Sequence, residues 1–317
     1  EDGIRDVERS RGLGDVYKRQ VIVRPSYVLS GAAMRVARNS QELKKYLSYS
    51  ARVSPEHPVV ISKFLEGAKE VEVDGVSDGE EVYIGSVIEH IEPAGVHSGD
   101  STMIIPPQFL PREVEEKIRE YARRIALTLR IRGPFNIQFV VHNETVYVIE
   151  CNLRASRTMP FVSKVTGVNL IRLASKVMLG KKLREVLPSN FKSHGVVGVK
   201  MAMFSFRRLD GADPVPSVEM VSTGEVACIA RSFYEALLKA FIATEQDIPK
   251  PPFTALLIVE NDEGEKCARE ILRELNGVCD KLYVMYKAGD HPTRNHLPAS
   301  LCYLGECTSS SDDKDSK

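Results

Sequence analysis

No stretch of this 317-residue chain is apolar for anything near the ~20 residues that a membrane-spanning helix needs, and its first residues hold no apolar signal core. Excess charge is missing too. Lys and Arg together number 43, as do Asp and Glu, so no global field favours nucleic acid or an anionic membrane, and an anionic ligand must be held by a local site. The six cysteines (151, 228, 267, 279, 302 and 307) form no Cys-x-x-Cys pair and have no matched His/Cys spacing. That argues against a zinc site or a disulfide framework and points to a reducing, cytoplasmic setting. There is also no Walker-type Gly-x-x-x-x-Gly-Lys-Ser/Thr loop. With 43% hydrophobic and 27% charged residues, the chain can bury a sizeable core and is long enough for roughly two domains.

The pattern along the chain is uneven. Residues 1–20 scatter charges among Gly3, Gly12 and Gly14 without period and read as a cloning or sequencing scar. Residues 308–317 are almost entirely serine, aspartate and lysine, too polar to pack. Between them, helical and extended segments alternate, which indicates an α/β (α+β) chain. Strands are expected over 21–24, 59–64, 70–76, 82–90 and 196–206. Ser40 is placed to cap a helix over 40–49. Pro111 starts another, with Val114, Ile118, Ala122, Ile125 and Leu129 on one face and Gly133-Pro134 as its stop. Helices over 168–179, stopped at Gly180, and over 232–243 follow. Pro249, Pro251 and Pro252 mark a linker, beyond which strand 253–259, helix 263–275 and strand 281–286 open a small α/β unit.

The most informative segment is a hairpin over 136–141 and 146–151. If a loop of about three residues closes it, Ile137, Phe139 and Val141 share a face with Tyr147, Ile149 and Cys151. Gln138, Glu150 and Asn152 then share the other, whereas a two-residue loop splits them. Three oxygen donors without cysteine or histidine suit a hard cation such as Mg²⁺, which takes its remaining ligands from water and phosphate. A solvated outer strand face fits the same pattern. Arg154 and Arg157 follow at once, spaced to clamp phosphate or carboxylate oxygens or simply to stand in solvent. Arg24 leaves a strand into a turn holding Ser26, Ser30 and Gly31, a weak phosphate-loop signal. Gly95-Val96-His97-Ser98-Gly99-Asp100 makes a polar loop or a plain surface turn. Lys63, Phe64, Leu65 and Glu70 suit either a base-and-ribose rim or ordinary core and edge.

Taken together, RPSYVLSGAAM (24–34), SKFLEGAKEVEVD (62–74), IEHIEPAGVHSGDS (88–101), GPFNIQFVV (133–141) and VIECNLRASRTMPFVSKVTG (148–167) resemble the ATP-grasp region of carbamoyl phosphate synthetase large chains in order and spacing. The similarity extends through EMVSTGEVACIARSFYEALLKA (219–240). Tyr27-Val28-Leu29 followed by Ala-Ala-Met, with Thr158-Met159-Pro160-Phe161, resembles the C-terminal half of such chains, which phosphorylates carbamate with MgATP. Ser30 and Ala32-Ala33 depart from the Gly-Gly-Arg of many members.

This resemblance implies an ATP-grasp fold, truncated at its amino-terminal side, over 21–185, with the remainder of the synthetic domain over 186–248. Residues 249–307 would begin a methylglyoxal-synthase-like allosteric domain. It further implies that Arg24 binds ATP phosphate, that Lys63 and Leu65 form the adenine-side hinge and that Glu70 holds the ribose. Gly95, Val96, His97 and Ser98 would line the nucleotide; Gln138, Glu150 and Asn152 would hold Mg²⁺ or Mn²⁺; Arg154 and Arg157 would meet the transferred phosphoryl group or carbamate. Expected partners are carbamate, ATP, a glutaminase (small) subunit or domain and the carboxyphosphate-forming half, within arginine and pyrimidine synthesis. Two alternatives stand beside this: another ATP-grasp carboxylate-activating ligase, such as a biotin carboxylase relative, and a catalytically incomplete or purely binding fragment.

Overall fold

The computed structural model describes residues 20–26, 34–53, 58–187, 195–204, 216, 218, 220–246, 248–259, 271, 274–275, 278–287 and 301–307. The 1–19 segment, the 27–33 loop, nearly all of the expected 263–275 helix and the 308–317 tail lie outside these residues. The elements in order are β1 (Val21–Arg24), β2 (Arg35–Ala37), α1 (Ser40–Val53), β3 (Val60–Lys63), β4 (Lys69–Asp78), β5 (Val82–Pro93), β6 (Met103–Ile105), α2 (Arg112–Thr128), β7 (Arg132–His142) and β8 (Thr145–Asn152). They continue with α3 (Met159–Thr166), α4 (Leu170–Met178), α5 (Leu183–Val186), β9 (Val197–Met203), β10 (Gly224–Ala230), α6 (Phe233–Ala243), β11 (Thr254–Val259), β12 (Lys281–Lys287) and β13 (Leu301–Cys307). The chain divides into two compact units, residues 1–246 and 247–317.

In the first unit, seven strands form an antiparallel sheet in the order β10-β9-β6-β5-β4-β7-β8. Its interior strand β4 is buried from Val71 to Asp78. Alternation along the strands sorts side chains to two faces. Val71, Val73, Val87, Ile137 and Phe139 pack under Val114, Ile118, Ala122 and Ala126 of α2. Val76, Ile88 and Met103 pack on the opposite side against Met159, Phe161 and Val162 of α3 and Leu170, Leu173 and Val177 of α4. A third cluster joins Val199 and Met201 of β9 to Ala236 and Ala240 of α6. Each large side chain buried this way contributes about 1.5–3 kcal/mol. A separate three-stranded sheet, β2-β1-β3, is also antiparallel. In the second unit β11 and β12 pair in parallel and β12 and β13 antiparallel.

Helix ends are set by local chemistry that differs from two of the expectations. Asn39, not Ser40, caps α1: its Oδ1 accepts from the backbone N–H of Gln41 (3.1 Å) and Glu42 (2.8 Å), and Glu42 reaches back to the N–H of Arg38 at 2.9 Å. Gly133-Pro134 does not stop α2 but lies inside β7. The stop comes earlier, at Arg130, whose φ of 51° is left-handed. Its N–H donates to the carbonyl of Leu127 and that of Ile131 to the carbonyl of Ala126, both at 3.0 Å, closing a Schellman motif. Gly180 (φ 91°) ends α4 with the same pair of bonds, to Val177 and Lys176, as the sequence predicts. Because a side chain in the left-handed region is strained, Arg130→Gly is expected to raise stability by about 0.5–1 kcal/mol, read as a higher denaturant midpoint at unchanged m-value. A lower midpoint would mean that the arginine's own contacts outweigh the strain.

Candidate functional site

The hairpin closes differently from the expectation, yet arrives at the same pairing. Asn143 and Glu144 form a two-residue turn with φ of 49° and 60°, the geometry that matches strand twist, and His142 pairs with Thr145. Left to itself that turn puts Gln138 and Glu150 on opposite faces. An irregularity between Phe139↔Val148 and Gln138↔Glu150 inserts Ile149 as an extra residue, shifts the phase, and sets Gln138 directly opposite Glu150 and Asn136 opposite Asn152. The two-residue turn has one further consequence: Tyr147, which lies before the bulge and is expected on the core face, pairs with Val140 on the face that carries Gln138.

That face is one wall of a cleft of about 540 Å³ in the first unit. Gln138, Val140 and residues 147–150 line it from the hairpin, Arg24 and Lys63 from the small sheet, Phe64 and Leu65 from the connection into β4, and Glu70 from the start of β4. The β5–β6 loop supplies Gly95, Val96, His97 and Ser98. The eight residues read as nucleotide-contacting in the sequence, and Gln138 and Glu150 read as metal-holding, therefore border one cavity. Gly95 has φ of 108°, and a Cβ there would stand 3.0 Å from the ring of Phe64, so the 95–98 loop and the segment after β3 approach this closely with glycine.

Asn152, Arg154 and Arg157 sit beside the cleft rather than in its lining. Asn152 Nδ2 donates to Glu150 Oε1 at 2.8 Å, and its Oδ1 accepts from Arg154 at 3.4 Å. Arg157, half exposed, lies against Met220 Sδ at 2.7 Å and faces Glu225 at 3.8 Å. Glu225 in turn faces Lys200 of β9 at 3.5 Å, and the Lys200 ammonium donates to the carbonyls of Ser98 and Gly99, each at 3.3 Å. Asp100 holds the same loop from its far end by accepting from the N–H groups of Val221 and Ser222.

The alternation Glu70-Val-Glu72-Val-Asp74 on β4 carries the part of the site that motif reading missed. It places three carboxylates on the site face of the most buried strand, where only chemistry or a partner network tolerates them. Asn136 Nδ2 donates to Glu72 Oε2 (3.1 Å) and Asp74 Oδ1 (3.0 Å). Ser156 and Thr158 donate to Asp74, each at 2.6 Å. His90, 1% exposed, stands between Glu70 (3.8 Å) and Glu72 (3.5 Å).

Burial dominates the electrostatics. It raises Glu70, against the opposing pull of His90 and the Gly95 N–H, with Glu72 and Glu150 adding to the rise. Burial also works upward on Glu72, but the His90 imidazole, Asn136 and Lys200 outweigh it and hold that carboxyl below its ordinary value. Asp74 is pushed up to about 6 by burial despite its three hydrogen-bond donors. Burial lowers Lys200 and His97. The His97 Nδ1 accepts from the Gly99 N–H at 3.0 Å, which favours the neutral ring with its proton on Nε2.

Among the described residues there is no group of three His, Cys, Asp or Glu side chains able to cage a metal. The paired donors Gln138 and Glu150, with Asn152 on Glu150, give one carboxylate and two amides. Such a set fits Mg²⁺, which keeps waters and phosphate oxygens and needs few protein ligands, better than a metal that demands a complete protein cage.

The antiparallel sheet with helices on both faces and a second small sheet across a cleft defines an ATP-grasp protein. The fold is similar to the biotin carboxylase domain of the Hydrogenobacter thermophilus 2-oxoglutarate carboxylase, solved with MgADP and bicarbonate, at a TM-score of 0.59 and 16% identity over 77% of this chain and 61% of that one. The Campylobacter jejuni biotin carboxylase gives 0.58 and 17% over 75% and 58%. Sequence comparison carries the assignment further. Residues 2–186 match the family described as carbamoyl-phosphate synthase L chain, ATP binding domain, and the chain belongs to that family. It is 46% identical over 281 residues to multifunctional protein pyr-3 of Neurospora crassa, covering 89% of this chain and 15% of the relative. It is 50% identical over 238 residues to the mitochondrial carbamoyl-phosphate synthase [ammonia] of Aquarana catesbeiana (72% and 16%). With the carbamoyl phosphate synthase large chain of Rubrobacter xylanophilus the identity is 47% over 243 residues (77% and 23%). The chain thus spans less than a quarter of the length of each of these relatives. Among the described residues no helix is long and apolar enough to cross a membrane.

Proposed function

We propose that this chain carries the carbamate-phosphorylating centre of a carbamoyl phosphate synthetase large chain. The observation that supports it most is the Gln138–Glu150 pair, brought into register by the Ile149 bulge on the wall of the cleft that Arg24, Lys63 and the 95–98 loop also border. In this reading Lys63 and Leu65 flank the adenine, Glu70 takes the ribose, and Gly95, Val96, His97 and Ser98 line the nucleotide. Arg24 binds phosphate. Gln138, Glu150 and Asn152 hold Mg²⁺ or Mn²⁺, which when bound supplies positive charge across the terminal phosphates. Arg154 and Arg157, at the rim, meet the transferred group.

A carbamate oxygen forms the new bond to the γ-phosphorus as the bond to the β–γ bridging oxygen breaks; ADP leaves with that electron pair and carbamoyl phosphate forms. No covalent enzyme intermediate is needed, so catalysis is positioning and charge neutralisation by residues fixed before the reaction. Enclosure matters as well, because carbamate is labile in water. The wider setting is the cytoplasm and arginine and pyrimidine synthesis, with the carboxyphosphate half and a glutaminase subunit or domain as partners. Residues 186–248 would complete the synthetic domain and 249–307 begin an allosteric one.

Supplying carbamoyl phosphate and MgADP to the whole chain and following ATP tests this reading. Sustained ATP formation is expected. A folded chain that forms none would be a catalytically incomplete ATP-grasp fragment.

A further inference from the structure

The two rim arginines are exposed, Arg157 by about half, and an exposed guanidinium is aimed chiefly by the backbone that carries it. That backbone, the turn between β8 and α3, has an anchor in the core of the sheet. Asp74, 0% exposed on β4, accepts from Ser156 Oγ and Thr158 Oγ1, the hydroxyls on either side of Arg157 in sequence, at 2.6 Å each. Its third donor is Asn136, on the strand facing Asn152. Ser156 Oγ also accepts from the N–H of Met159, the first residue of α3, at 3.1 Å. One carboxylate therefore ties the arginine-bearing turn, the start of the following helix and the hairpin to the central strand. Burying a carboxylate is costly, and a purely structural turn needs no such anchor.

We propose that Asp74 is a positioning residue: by fastening Ser156 and Thr158 it sets where Arg154 and Arg157 present their guanidinium groups to the transferred phosphoryl or carbamate. This rests on the assignment of those arginines under the proposed function. Asp74 touches neither nucleotide nor cation in that reading, so its effect falls on the transferred group alone.

The test is calorimetric titration of the whole chain with MgADP and, in a separate experiment without nucleotide so that no reaction can occur, with carbamoyl phosphate, for the unaltered chain, Asp74→Asn and Thr158→Val. Asparagine keeps the shape but has only one acceptor oxygen for three donors. It is expected to weaken carbamoyl phosphate about tenfold, the cost of one hydrogen bond to a charged acceptor, while MgADP affinity stays within about twofold. Thr158→Val, which keeps the volume and removes one donor, is expected to reproduce the selective loss and to decide the matter if Asp74→Asn does not fold. Equal weakening of both ligands, or of neither, in the folded variants would overturn the positioning role. An unaltered chain that binds neither ligand would instead sink the assignment of the site itself, and this inference with it.

Discussion

Glu150→Ala is expected to lower ATP formation from carbamoyl phosphate and MgADP by at least about a hundredfold, the range seen when one group that neutralises developing charge is removed. Glu150 is the single carboxylate of the proposed cation-holding set: Gln138 opposite it and Asn152 beside it are neutral amides. Without it those amides remain, but the negative charge that holds a divalent ion to the phosphates is gone. The loss should be one of catalysis and not of folding. Glu150 lies on β8, the last strand of the main sheet, and is only partly buried, so a melting midpoint within a few degrees of the parent is expected. Arg130→Gly, on the far end of α2, serves as a control that keeps the full rate. Retention of more than about a tenth of the rate by Glu150→Ala at saturating magnesium would remove this residue from the centre.

The second large effect concerns pH. Asp74 titrates at about 6 in the folded chain, raised by burial from an ordinary value of 3.8. Between those two values the folded state holds a proton that the unfolded state has released, so stability falls as pH rises through the window and the penalty is complete above it. The shift corresponds to about 3 kcal/mol. Other carboxylates move the opposite way: Asp78 is lowered against its burial by N–H donors from Leu183, Glu81 and Glu80, and Glu72 is lowered as well. The absolute pH profile therefore mixes signs. The difference between the parent and Asp74→Asn isolates one group. In denaturant titrations at pH 4 and pH 7 the parent is expected to lose about 2.4 kcal/mol relative to the variant on going to the higher pH, the rest of the penalty being already present at pH 4. A difference that does not change with pH would place the folded-state titration of Asp74 at its ordinary value.

How much of this was legible beforehand depends on whether the determining interaction was local. Helix α4 ends where Gly180 says it should, because glycine announces the left-handed residue. Helices α2 and α6 end in the same motif on Arg130 and Glu245, with φ of 51° and 55°, and neither residue type signals it. Most strands of the core were readable from the apolar pattern, but β6 and β10 were not among those expected. The hairpin register was not, because its turn length and its bulge at Ile149 each reverse the phase and cancel; the pairing of Gln138 with Glu150 emerges while the expected loop does not. Motif resemblance drew attention to the ten cleft-bordering residues, which lie on six separate segments of the chain. It passed over Glu72, Asp74, His90 and Lys200, whose meaning comes from burial against residues far away in sequence. The repeating acid on β4 was the available signal, since carboxylates at every second position of a strand with apolar residues between them require an explanation once that strand is largely buried.

Release of ADP from MgATP, measured with freshly dissolved carbamate and separately with bicarbonate as the sole acceptor, tests the carbamate assignment most directly. Release stimulated by carbamate and not by bicarbonate is the predicted result; stimulation by bicarbonate, or by neither in a chain that binds MgATP, would contradict it.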